Sequence, residues 1–180
     1  MRLLKHLLAI AALLSLAACM VRGPVDSYIA ADGSSQATYT DGWCSTPLSS
    51  TVILDRPDVL VRLNIYGVQR GTYTFDGQRD LLWADIVVAP QPGAVARILD
   101  ILDSSVEVVS PDFTKPQSAA AGQSEFRGRT RYRYTIPMPT IPNEITVKFP
   151  KLKVNEQIVE LPSLVLRSER KLEFIDLACQ

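Results

Sequence analysis

The chain predicts a mainly-β fold, a single sandwich carrying one short helix. Three observations point there. Short runs alternate apolar with polar residues, prolines and glycines cut these runs at close intervals, and only one stretch has helical spacing. The composition, 47% hydrophobic and 21% charged over 180 residues, is that of an ordered globular protein.

Residues 19–36 are small, polar and aperiodic and read as a flexible tether, with the sandwich over 37–180. Residues 50–54 and 59–68 read as strands around the turn Asp55-Arg56-Pro57-Asp58. In the second, Val59, Val61, Leu63 and Ile65 alternate with Leu60, Arg62, Asn64 and Tyr66, which puts one set on the core side. Residues 72–75 lead into Asp76-Gly77, where glycine accepts the positive φ of a tight turn. The stretch 81–89 is the most apolar and reads as a central strand. Asp85 interrupts it, and an edge-facing position is favoured for that carboxylate over burial.

The helix is expected over 93–103, where Val95, Ile98, Leu99 and Leu102 follow i, i+3, i+4, i+7 spacing behind Pro92. Residues 106–109 resume strand character, and 111–125, with Ser118-Ala119-Ala120-Ala121-Gly122, read as a flexible loop. A meander follows at 127–136, 144–149, 152–154 with 157–161, 164–166 and 171–177. Pro137, Pro139, Pro142, Pro150 and Pro162 punctuate it, and proline belongs at strand ends and edges. Such strand spacing suits an immunoglobulin-like or similar sandwich.

Ahead of this domain stand Arg2 and Lys5, an apolar run from Leu7 to Leu14, and Leu16-Ala17-Ala18-Cys19. That order of charge, apolar core, small residues and cysteine resembles the signal peptide and lipobox of bacterial lipoproteins. The resemblance implies cleavage after residue 18, a diacylglyceryl group on Cys19, acylation of the new amino terminus with palmitate-type chains, and a bilayer as partner. Two or more acyl chains anchor stably, at about 0.8 kcal/mol per buried methylene. Met20 rather than Asp follows the cysteine, and the family's sorting rule then points to the outer membrane, facing the periplasm. The competing reading, a transmembrane helix, needs roughly 20 apolar residues, more than this run supplies. A third reading leaves Cys19 as a buried cysteine in an N-terminal helix.

Cleavage would leave Cys44 and Cys179, an even pair that reads as a disulfide in an oxidising compartment; two free buried thiols are the alternative. Trp43 would pack on that bond. The only histidine, His6, falls in the removed peptide. Without it, Ser-His-Asp and Cys-His catalysis and histidine-ligated metals are excluded, and no cofactor or metal is expected.

Arg127, Arg129, Arg131 and Arg133 occupy alternate positions, so on a strand all four guanidinium groups share one face, opposite Thr130, Tyr132, Tyr134 and Ile136. Residues 127–153 hold seven basic residues and one acid, whereas 19–126 hold seven basic and thirteen acidic. One reading is a surface for phosphate or carboxylate, which arginine forks pair bidentately. The other is a solvated face neutralised by acids on neighbouring strands. Residues 19–180 carry 17 basic against 19 acidic residues, so no nucleic-acid partner is expected.

The expected function is that of a non-catalytic, membrane-anchored envelope lipoprotein, a structural or assembly subunit acting through an envelope protein partner. The alternative is a binding module for lipopolysaccharide, anionic lipid or peptidoglycan through the arginine face. A second alternative is a glycan hydrolase using paired carboxylates, which need no histidine.

Overall fold

The computed structural model describes residues 21–31, 48–74, 77–93, 98–102, 105–126, 128–155 and 157–174. Cys19, Cys44, Cys179, Trp43, Arg127 and the expected signal peptide lie outside these residues. So neither the expected lipid site nor the expected disulfide falls among the described residues.

The described residues form strands and no helix: β1 (Val21–Ala30), β2 (Leu48–Asp55), β3 (Val59–Tyr66), β4 (Gln69–Thr74), β5 (Gly77–Pro90), β6 (Ile98–Leu102), β7 (Ser105–Val109), β8 (Gln117–Phe126), β9 (Arg129–Met138), β10 (Glu144–Lys148), β11 (Lys151–Val154), β12 (Gln157–Val159) and β13 (Leu164–Phe174). The main sheet runs β1-β13-β10-β7-β8-β9-β5-β3-β2, with β4 also paired to β5. A smaller sheet runs β12-β11-β6.

Alternation builds the core. Val59, Val61, Leu63 and Ile65 of β3, Leu82, Ala84, Ile86 and Val88 of β5, and Tyr132, Tyr134 and Ile136 of β9 all point inward and are buried. They meet Val106 and Val108 of β7, Ile145 and Val147 of β10, and Leu166 of β13 in one apolar cluster. β5 is the hub. Its start pairs with β4, its end with β3, and residues 80–88 pair with β9.

The sheet is nearly closed, because β1 returns to the opposite end of the strand order. Val68 N–H donates to Asp26 O at 2.7 Å, and Ser50 Oγ donates to Tyr28 O at 2.8 Å. The Arg70 guanidinium pairs with the buried Asp26 carboxylate, Nε to Oδ2 at 2.6 Å. The Tyr28 hydroxyl donates to Pro142 O at 2.8 Å.

Three expectations are corrected. Residues 21–30, read as tether, form β1, which pairs with β13 from Val21↔Phe174 to Ala30↔Leu166. Its buried residues include Asp26 and Ser27 beside Tyr28, so no apolar alternation marks it. Residues 98–102, read as helix, form β6, whose ladder partner is β11. A short apolar run fits either period, and here an available strand edge decides. Residues 94–97 of the expected helix lie outside the described residues. Finally, residues 117–125 of the stretch read as loop belong to β8. Its small side chains have low strand propensity, but its backbone pairs with β7 over 117–120 and with β9 over 121–126.

If β1 is an integral strand, Tyr28→Phe leaves a buried carbonyl without its donor and lowers stability by about 1–3 kcal/mol. Urea unfolding measures this, and an unchanged midpoint would show that β1 is not docked in solution.

Candidate functional site

The outer face of β2-β3-β5-β9-β8 carries the most concentrated polar cluster among the described residues. Directly paired residues of antiparallel strands share a face. One row therefore crosses the sheet as Thr51, Asn64, Asp85, Arg133 and Gly122, and the next as Ile53, Arg62, Val87, Arg131 and Ser124. Tyr66 and Trp83 extend the same face beyond the first row by their alternation in β3 and β5.

Asp85 sits at the centre of the first row with no solvent exposure. This corrects the edge-facing expectation: β5 is flanked by β3 and β9, so its polar residue faces neighbours rather than water. A carboxylate so placed needs compensating charge and donors. Both are supplied. Arg131 Nε donates to Asp85 Oδ2 at 2.5 Å, and its Nη2 closes on the same oxygen. Arg133 Nε donates to Oδ1 at 3.0 Å. The Tyr66 hydroxyl donates to Oδ2 at 2.6 Å and accepts from Arg131 Nη2 at 2.8 Å. Farther along the row, Thr51 Oγ1 donates to Asn64 Oδ1 at 3.1 Å, and both residues are buried.

The aromatic residues hold the guanidinium groups in place. The Arg133 carbon lies 5.0 Å from the Trp83 ring centre and 5.7 Å from that of Tyr66, a cation–π geometry. Burial, then the charge of Asp85 and the bond to it, pushes the Tyr66 phenol up to about 12. Burial also raises Tyr28 and Tyr134. Among the described residues, two buried polar atoms, Trp83 Nε1 and the Tyr134 hydroxyl, have no hydrogen-bond partner.

Arg131 and Arg133 thus serve as internal counterions, although their side chains stay 37% and 35% exposed. Arg129 continues the stripe and is exposed. The period-two spacing found the face. What it missed was Asp85 beneath it, because the acid lies over forty positions upstream and only the β5–β9 register brings them together.

Elsewhere, a groove of about 580 Å³ opens at the start of β5 between Arg79, Asp80, Gln117, Pro137 and Met138. Among the described residues no three His, Cys, Asp or Glu side chains gather as a metal site, and no helix is long and apolar enough to cross a membrane. No protein-family model, curated protein or solved structure matches the chain.

The cluster predicts an asymmetry. Arg131→Met with Arg133→Met strands a buried carboxylate and costs about 3–5 kcal/mol. Asp85→Asn leaves guanidinium groups that water can reach and costs about 1–3 kcal/mol. Denaturant midpoints of the two variants test this, and equal losses would contradict it.

Tyr66 adds a pH signature. Between its ordinary value of 10.0 and about 12, the unfolded phenol ionises and the native one does not, so stability falls as pH rises. Below pH 10 that contribution is complete. Tyr66→Phe therefore flattens the alkaline decline, which unfolding curves across this window would show.

Proposed function

We propose that the protein is a lipid-anchored component of the bacterial envelope, held through Cys19 and, with Met20 rather than Asp after that cysteine, sorted to the outer membrane, facing the periplasm. The β domain is read as a two-layered sandwich in which β8 passes from one layer to the other. It acts without catalysis, through contact surfaces, as a structural or assembly subunit.

The state of the buried carboxylates carries the non-catalytic part of this reading. Asp85 and Asp26, the two buried acids among the described residues, are each bound by arginine. A general base or nucleophile needs a free lone pair aimed at substrate. A carboxylate saturated by guanidinium and phenol donors is built for holding strands in register. Protein contact finds support in the exposed Ile158, 60% accessible on β12 at the rim of the smaller sheet, where an added strand could pair.

Two measurements test the proposal. Metabolic palmitate labelling is expected to mark the wild type and to be lost with Cys19→Ser; an unlabelled wild type defeats the anchoring. Crosslinking in intact cells is expected to capture one stoichiometric envelope protein, and enrichment of glycan in its place would favour the binding-module reading.

A further inference from the structure

We propose that the outer face of β2, β3, β5 and β9 lies against the anionic headgroups of the bilayer that holds the protein. The inference rests on the anchored reading above and adds to it which face meets the lipid.

Charge comes first. Arg62, Arg129, Arg131 and Arg133 share this face, against Asp55 and Asp85. Asp85 is fully buried under two of the arginines, so its charge lies beneath theirs, and Asp55 is the exposed acid that these arginines outnumber on the face. The hydrogen bonds to Asp85 and Tyr66 use Nε and Nη2 of Arg131 and Arg133. A guanidinium carries five N–H groups, so each arginine keeps donors for phosphate oxygens.

Shape and apolar content agree with this. Ile53, 52% exposed, stands in the same row as Arg62 and Arg131. With the half-buried Trp83, it supplies the mixture of arginine, aromatic and aliphatic groups that settles at a membrane interface. Gly122, opposite Arg133, has an ordinary backbone conformation, and a Cβ there would meet only Arg133 O at 3.7 Å. Neither backbone nor packing demands glycine. Its missing side chain leaves the approach to Arg133 open.

Reach keeps the domain close to the bilayer. Only Met20 separates Cys19 from the start of β1, a span of about 7 Å at full extension. A domain on so short a leash stays at the surface, and among the orientations open to it an anionic surface favours the one that presents the most basic face. Each basic residue near an anionic surface strengthens attachment about fivefold.

The test uses the natively processed chain in nanodiscs of phosphatidylcholine, with or without phosphatidylglycerol, doped with a gadolinium-headgroup lipid. In phosphatidylglycerol discs the Ile53 methyl resonance is expected to relax at least fivefold faster than that of Ile158. Arg62→Gln with Arg129→Gln, neither of which touches Asp85, is expected to erase the difference. Equal relaxation of the two isoleucines, or a difference the double variant leaves intact, overturns the inference while retention on both kinds of disc keeps the anchor. Retention on phosphatidylglycerol discs alone supports this face without the anchor, and loss from both disc types overturns the two together.

Discussion

A carboxylate with no access to water lies in the middle of the β-sheet, and its neighbours are arranged around that fact. Removing Asp85 from solvent is unfavourable unless donors and opposite charge replace the lost hydration. Arg131, Arg133 and Tyr66 do so from the strands on either side. The compensation works in one register only. Sliding β9 by a single residue would turn its arginines into the apolar core and its tyrosines out to solvent. Asp85 therefore acts less as a source of net stability than as a peg that aligns β3, β5 and β9.

The same logic operates at the seam. Where β1 comes back to the far side of the sheet, the contacts are polar: a backbone bond from Val68, a serine hydroxyl on a carbonyl, and the Asp26–Arg70 pair. Apolar packing is non-directional and tolerates sliding, whereas hydrogen bonds of this kind accept one alignment. Core and seam divide the work, with burial of aliphatic side chains supplying cohesion and buried polar groups supplying uniqueness.

How much of this could be read from residues alone follows from the same division. Strands with an alternating pattern, such as β3 and β9, are legible because one face is aliphatic or aromatic and the other is not. The arginine face was legible by the same rule. β1 and β8 were not. Their buried or paired positions are filled by aspartate, serine, alanine and glycine, and backbone ladders to distant strands hold them. β6 failed differently, since its apolar spacing suits two periods and a neighbouring edge chose between them. The acid partner of the arginines was visible as a residue but not as a partner, because pairing between β5 and β9 is a property of topology.

The ladder between β1 and β13 bears on how the chain assembles. These strands lie at opposite ends of the described sequence, with Val21 opposite Phe174. A ribosome must therefore pass residue 164 before β1 finds its mate. Contacts of such separation slow folding. Until β13 is made, β1 lacks its ladder partner and the main sheet cannot close, so closure comes late and depends on the two most distant described strands meeting.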